Sequence, residues 1–386
     1  MRAVIIGGGV MGASAAYHLA FRGVRELVVL DGGRGPGEGS TGRATGGFRA
    51  QFASAVNVRL SLLAREALRR FRDEIGGDAG YDPRGYLWLA GTPAQLARLG
   101  AAREVQRAAG LTEAALVSVD DIARLNPGID TTGLVGGAFC PTDGFIRPVA
   151  MLEAYLAAAR RLGARVEWGA QVVALERKGE RITAVRTARE SLPADVVVNA
   201  AGAWAERVAA LAGFGLPVVP LKRQILPTAP QDALPTSMPM TIFGDGFHLR
   251  VREDRRALLV WPDPAPPARE GDARYDTSVE PAWLDAVAAR SQARVPALHG
   301  VALDRAGAWA GLYEMSPDRH AILGAAPGCP NLYLVNGSSG HGAMHSPALG
   351  RLVAEIICGE PPSIDVAPLR PSRFAEGALN PAADLL

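Results

Sequence analysis

Lysine is almost missing from this chain: of 41 basic residues only Lys178 and Lys222 are lysine, and the other 39 are arginine. With 39 acidic residues the formal net charge is only +2, so bulk charge offers no footprint for a nucleic acid or an acidic membrane. Clusters such as Arg69, Arg70 and Arg72 or Arg255 and Arg256 read as solvated faces. Cysteine is scarce too. Cys140, Cys329 and Cys358 are odd in number, far apart and without a CxxC pair, which argues against a disulfide framework or a zinc ribbon and fits a reducing cytoplasm. No apolar run approaches the roughly 18 to 20 residues that span a bilayer. The apolar N-terminus is broken by Gly7, Gly8 and Gly9 and has no small-residue cleavage site, so it reads as structure and not as a signal peptide. What the chain does have is 386 residues of which 48% are hydrophobic, enough for one large or two intimate domains around a substantial core. Its 45 glycines and 28 prolines are scattered, not periodic, which predicts many tight turns and excludes a collagen-like or disordered chain.

The opening reads strand, turn, helix, strand. Ala3 to Ile6 is a short apolar run, Gly7 to Gly12 a turn, Ala13 to Arg22 helical, and Glu26 to Leu30 a second strand closed by Asp31. After a glycine-rich loop from Gly32 to Gly47, the apolar series Val56, Leu60, Leu63, Leu68, Phe71 and Ile75 predicts one long amphipathic helix. Tyr81 to Leu89 predicts the start of a sheet, and Pro93 to Ala109 a helix running into Gly110. A helix from Val149 to Leu162 precedes a strand at Arg165 to Trp168 and a hairpin across Lys178-Gly179-Glu180. The unbroken run Val196-Val197-Val198 suits a parallel strand covered on both faces.

From Pro217 to Trp261 the pattern changes to strands interrupted by prolines and turns, and Phe247 to Val251 alternates as an antiparallel, half-buried strand should. A helix with Trp283, Leu284, Val287 and Ala288 follows. Asn331 to Val335 returns to a buried strand, which leads through Gly337-Ser338-Ser339-Gly340-His341-Gly342 to a last helix. That helix is expected to start at Ser346 as cap, with Pro347 in its first turn and Gly359 closing it. The expected class is α/β and α+β: a Rossmann-like nucleotide-binding domain from residues 1–80, 146–215 and 320–386, with an inserted antiparallel-sheet substrate domain from 81–145 and 216–319.

Gly7, Gly9 and Gly12 form G-x-G-x-x-G between the first strand and the first helix, with Val10 and Met11 entering the helix. The first glycine permits the tight turn, the second lets backbone approach a pyrophosphate, and the third lets helix and strand pack closely. Asp31, followed by Gly32, lies 19 residues beyond Gly12 at the end of the second strand. There a carboxylate can accept hydrogen bonds from both ribose hydroxyls of an adenosine and repels a 2′-phosphate. Gly39 to Gly47 is a second donor-rich loop, suited to follow a diphosphate. The 337–342 loop brings bare N–H groups to a helix start, whose positive dipole end suits negative charge on the N1 and C2=O edge of a reduced flavin. Three such elements fit FAD better than NAD; an NAD-dependent dehydrogenase is the alternative and predicts a colourless protein.

These residues also carry a resemblance. The segments IIGGGVMGASAAYHLA, GSTGRATGGFRAQF, DVVVNAAGAW, MSPDRHAILG and LYLVNGSSGHGAMHSPALGRLVAEII resemble the FAD-dependent D-amino-acid-oxidase superfamily. Within it the chain is most similar to the branch of sarcosine oxidase and dehydrogenase β subunits and proline dehydrogenase β subunits, over essentially its whole length. The resemblance implies an extended FAD, expected to be noncovalent because Gly311 stands where monomeric relatives have the cysteine that holds it. Asp31 matches the ribose-binding acid, and Ser40, Thr41, Arg43, Ala44 and Thr45 match the loop along the diphosphate and ribityl chain. Val172 or Val173 matches the strand at the adenine; Ala201, Gly202 and Trp204 flank the flavin. Gly340, His341, Gly342, Ala343 and Met344 match the backbone near its pyrimidine edge.

Relatives of this kind oxidise an amine at carbon by hydride transfer to flavin N5, and the imine is hydrolysed. The resemblance makes Arg49 the guanidinium that grips a substrate carboxylate, for which its planar fork is suited. His320 and His341 are further catalytic candidates as donors near the flavin or acceptors for an amine proton, and His248, Arg250 and Tyr313 are candidates for the substrate pocket. His341 and His345 have the spacing of a metal pair, but Gly342 lies between them and no carboxylate motif accompanies them, so no metal is expected. Departures from the family pattern add detail. Gly311 stands where monomeric sarcosine oxidases hold the flavin through a cysteine, Pro148 follows Arg147 where the heterotetrameric branch has a histidine for a second flavin, and Met344 replaces a carboxylate-binding lysine. No lysine occurs between Met238 and Pro267, where those oxidases place the one that assists dioxygen, and Lys222 is the remaining candidate for that role. The expected partners are a small amino-acid or amine substrate, such as sarcosine, proline or glycine, and a possible further subunit of a multi-subunit dehydrogenase. No nucleic acid or membrane span is expected. The alternative reading is a flavin-containing assembly subunit without turnover.

Overall fold

A computed structural model describes residues 1–263, 270–381 and 385; the end of the Met238–Pro267 stretch therefore lies outside the described residues. Two sheets organise them. The first has six strands in the order Ile322–Ala326, Cys329–Asn336, Val196–Asn199, Arg2–Ile6, Glu26–Leu30 and Arg165–Glu167. All neighbours run parallel except Ile322–Ala326, which pairs antiparallel with Cys329–Asn336. Val196–Asn199 is buried at all four positions between two parallel partners, which is why its sequence is an unbroken apolar run. Helices Val10–Phe21, Ala55–Arg69, Pro148–Arg161 and Gly342–Ile357 contribute to the core that covers one face. Helix Ala205–Leu211 and a three-stranded meander from Val172 to Pro193 cover the other.

The second sheet has eight strands, in the order Trp309–Met315, Val219–Pro227, Ala257–Val260, His248–Val251, Met240–Ile242, Tyr86–Ala90, Gly136–Cys140 and Ala115–Val117. Only the contact between Met240–Ile242 and Tyr86–Ala90 is parallel. Strand alternation sorts its side chains. Leu87, Leu89, Leu226, Leu249 and Leu259 pack with Trp283, Leu284 and Val287 of helix Pro281–Arg294. The opposite face, with Tyr86, Trp88, Ile225, Ile242, His248 and Val260, is turned to a cavity. Among the described residues no helix is long and apolar enough to cross a membrane.

Two sequence expectations are corrected. The helix expected through Ile75 breaks at Arg70, whose φ of −99° and ψ of 5° leave the helical region, and resumes as the short helix Phe71–Ile75. The last helix begins at Gly342, with His341 in the N-cap position and no side-chain cap bond, so Ser346 and Pro347 are interior. The proline is tolerated because the Ser346 hydroxyl, 2.9 Å from the Ala343 carbonyl, donates to the oxygen that Pro347 has no N–H to satisfy. Ser14 of the first helix donates in turn to the Ser346 carbonyl at 2.8 Å, tying the two helices together.

Candidate active site

One cavity of about 1190 Å³ runs from the first strand–helix turn to the face of the eight-stranded sheet. Its near end is built by the glycine motif. Gly7 has φ +109°, and a Cβ there would stand 2.3 Å from the Ala200 carbonyl oxygen; one on Gly12 would stand 1.9 Å from that of Gly7. Only glycine allows strand, turn and helix to approach so closely. Asp31 holds the turn from the other side, accepting from Gly8 N at 2.6 Å through one oxygen and from Gly33 N at 2.7 Å through the other. The Thr41 hydroxyl accepts from Val10 N at 3.1 Å, and Ser40 donates to the Leu312 carbonyl at 2.6 Å, so the Ser40–Arg43 turn joins this end to the second sheet. Arg43 is anchored by its 2.8 Å bond to the Ala310 carbonyl.

Two helix N-termini open on the cavity, at Gly9–Met11 and at His341–Met344. Neither has a capping bond from its own N-cap side chain or an acidic residue in its first turn; apart from the Val10 N–H, which Thr41 takes, their free N–H groups and positive dipole ends remain for an anionic ligand. Met11, Gly32, Ala44, Thr45, Val173, Ala201, Gly202, Trp204, Gly340, Ala343 and Met344 all line the same space. Val173 and Trp204 are exposed, and Trp204 stacks on Tyr275 with 14° between the rings. An extended dinucleotide with a flat tricyclic head matches this volume, its two helix termini and its glycine-lined floor.

At the far end Arg49 is buried. Its Nη1 donates to the Gln51 carbonyl at 2.6 Å, its Nη2 lies 3.0 Å from His341 Nε2, and its guanidinium stacks over Phe52 at 3.9 Å. No carboxylate is hydrogen-bonded to it among the described residues, and burial pulls its pKa down to about 10. The segment that carries it is fixed by the buried Asp143, which accepts from Ala50 N at 2.7 Å and from Gln51 Nε2 at 3.0 Å. Burial raises the Asp143 carboxyl to about 6 despite those bonds. His248 lines the cavity with its Nδ1 2.8 Å from the Gly246 carbonyl, and burial followed by the charges of Arg223 and Arg49 pushes it down to about 4. Tyr313 lines the cavity and is exposed.

Three expected residues are placed elsewhere. His320 is fully buried outside the cavity lining, with Nε2 2.6 Å from the Ser54 hydroxyl and Nδ1 2.6 Å from the Asp318 carbonyl, so both ring nitrogens are engaged. It belongs to a buried network in which Arg373 holds Asp318 through bonds of 2.8 and 3.0 Å. Arg250 shares the face of His248, but the Thr45–Gly46 turn covers it: its Nη1 donates to the Thr45 carbonyl at 2.7 Å and its guanidinium stacks on Phe145 at 3.7 Å. Lys222 points to the other face of its strand, where Glu280 takes its ammonium at 2.7 Å, so neither lysine of the chain lines the cavity.

Sequence reasoning missed Trp88, Arg223 and Glu314, all of which line the cavity. Burial raises the Glu314 carboxyl to about 7, and one of its oxygens accepts from Ser338 N at 3.2 Å while the other has no partner. Among the described residues no cluster of His, Cys, Asp or Glu could hold a metal ion; His345, the other half of the spaced pair, is 2.8 Å from the Ser61 hydroxyl.

Comparison with known proteins places this geometry. The profile of the FAD dependent oxidoreductase family matches residues 2–356. The chain is 30% identical to FAD-dependent oxidoreductase domain-containing protein 1 of Xenopus laevis, over 92% of this chain and 78% of that protein. It is 28% identical to the mitochondrial dimethylglycine dehydrogenase of Mus musculus over 97% of this chain, but spans only 44% of that protein. The crystal structure of L-proline dehydrogenase from P. horikoshii superposes with a TM-score of 0.89 at 28% identity, covering 98% of this chain and 99% of that one.

Proposed function

The chain belongs to the FAD-dependent oxidoreductase family, and from that premise we propose that it oxidises the C–N bond of a small amino acid or secondary amine of the sarcosine, proline or glycine kind. The observation that carries this reading is Arg49: a buried guanidinium on the cavity lining to which, among the described residues, no carboxylate is hydrogen-bonded, Asp143 acting on it only through its field. FAD, when bound, takes the α-hydrogen of the amine as hydride and leaves an imine that water hydrolyses to a carbonyl compound and an amine or ammonia.

The chain supplies binding and orientation. Asp31 would hold the ribose, and the N–H groups of Gly9 and Met11, with Ser40, Thr41, Arg43 and Thr45, would follow the diphosphate and ribityl chain. The N–H groups of Gly340, Gly342, Ala343 and Met344 would meet the flavin's pyrimidine edge, the His341 N–H being taken by the Ser338 carbonyl. Val173 would face the adenine, and Ala201, Gly202 and Trp204 would flank the ring system. Arg49 binds the substrate carboxylate, so that the carbon to be oxidised is fixed by the fork and not by a general base. The surrounding positive charge favours the neutral amine, the form whose lone pair can support hydride loss. His341, held neutral by burial and by Arg49, orients the guanidinium from the N-cap position of the last helix. His248 and Tyr313 shape the wall opposite.

Electron transfer to an acceptor other than dioxygen is part of the proposal, because no lysine lines the cavity to assist superoxide formation. The test is anaerobic mixing of the holoenzyme with sarcosine, L-proline, glycine and N-alkylated relatives. Loss of the visible flavin band with at least one supports the reading; a flavin left oxidised by the whole panel refutes it.

A further inference from the structure

Two arginines, Arg49 and Arg223, line the sheet end of the cavity. Arg223 lies on the strand Val219–Pro227, whose register sets Leu221 opposite Tyr313 and Arg223 opposite Gly311. Directly opposite residues share a face, so Arg223 and Tyr313 look into the cavity together, and Gly311 offers no side chain between them. The guanidinium carbon of Arg223 lies 5.8 Å from the Tyr313 ring centre. Among the described residues it makes no hydrogen bond or ion pair, whereas Arg43 is held by the Ala310 carbonyl, Arg207 by Asp272, and Arg49 by Gln51 and His341. A half-buried cation without an acceptor is costly unless a ligand supplies one.

Arg223 and Arg49 stand around the same two groups. Both charges depress His248, and the Tyr313 phenol interacts electrostatically with both. Asp143 acts on Arg49 and Asp263 on Arg223 through their fields, but neither lines the cavity; of the three acidic residues that do, Asp31 and Glu38 lie at the dinucleotide end, and burial leaves Glu314 largely protonated below about pH 7. We propose that the substrate is an amine carrying two carboxylates a few bonds apart, one held by Arg49 and the other by Arg223 on the sheet wall. This rests on the amine-oxidising reading above and narrows it. For iminodiacetate, the simplest such amine, a C–H bond beside nitrogen breaks, its hydride passes to FAD, and water adds to the imine; glyoxylate, glycine and reduced FAD are the products.

The holoenzyme tests this without turnover. Diglycolate replaces the amine of iminodiacetate by an ether oxygen and keeps both carboxylates; methoxyacetate keeps one. Titration followed by the flavin's visible spectrum should give diglycolate at least tenfold tighter binding than methoxyacetate. Arg223→Gln should collapse that preference, and Arg223→Lys should restore part of it. No preference in the parent protein, or an unchanged preference in Arg223→Gln with FAD retained, overturns the proposal. Anaerobic reduction by iminodiacetate against N-ethylglycine separates the two readings. An Arg223-dependent diglycolate site with no reduction by any amine refutes the oxidation and leaves the dianion site standing. Equal reduction by both amines with no effect of Arg223→Gln on their ratio refutes the dianion site and leaves the oxidation standing.

Discussion

Arg49 Nη2 lies 3.0 Å from His341 Nε2, and because a guanidinium has donors only, the imidazole accepts and carries its proton on Nδ1. This one contact joins the loop after the second glycine-rich segment to the N-terminus of the last helix. It also holds the Arg49 fork in a single orientation, with Phe52 stacked beneath it at 3.9 Å.

Arg49→Lys should therefore damage substrate binding far more than cofactor binding. A point-charge ammonium cannot fork between Gln51 and His341 or present a planar pair to a carboxylate. Loss of a charge-assisted bond of about 1.5–3 kcal/mol corresponds to roughly 10- to 150-fold in the substrate's apparent dissociation constant. Flavin-to-protein ratio and reductive titration check it; loss of FAD with unchanged substrate affinity contradicts it.

Asp318 and Arg373 form a fully buried, two-bond ion pair beneath the turn that ends the Trp309–Met315 strand. Burial alone would raise the Asp318 carboxyl, but the bonds from Arg373 and Asn380 outweigh it and hold it below its ordinary range. Asp318→Asn should cost about 3–5 kcal/mol, because it leaves Arg373 buried without its counter-charge. Urea denaturation of the parent and variant measures this, and a loss under about 1 kcal/mol, the scale of an exposed pair, counts against it.

Asp143 titrates in the opposite sense. Its folded pKa is raised to about 6, so between its unfolded value near 4 and pH 6 the native state binds more protons than the unfolded one, and stability falls as pH rises. Asp143→Asn removes that slope. Relative to the parent, the variant should gain on the order of 2–3 kcal/mol between pH 4 and pH 7. Melting temperatures at the two ends of that window read the difference, and a parallel pH dependence in both proteins would contradict it.

The lysine deficit gives a kinetic prediction. Photoreduced holoenzyme admitted to air should reoxidise slowly and release little peroxide, while an artificial quinone or dye acceptor should reoxidise it quickly. Fast peroxide formation would show that another group does the work of the absent lysine.

The parts of this molecule set by local pattern were legible in the chain. The first strand, the glycine turn, the helix and Asp31 follow from a few dozen consecutive residues, and the valine run at Val196 announced a strand covered on both sides. Residues whose placement depends on distant partners were not. His248 and Arg250 alternate correctly onto one face, but only the fold shows that the Thr45–Gly46 turn closes over Arg250. His320 looked available in its motif because Ser54, its partner on one ring nitrogen, is 266 residues away. Arg223 escaped notice for the same reason: its direction is set by pairing with a strand some 90 residues further on, a register that no local period encodes.

The central claim is that this cavity binds FAD and oxidises an amine anchored by Arg49. Anaerobic reduction of the yellow holoenzyme by a panel of amino acids and N-substituted amino acids tests it most directly. The account predicts that at least one anionic amine bleaches the flavin and that Arg49→Lys requires far more of it to do so. A colourless purified protein, or a flavin that no amine reduces, would contradict it.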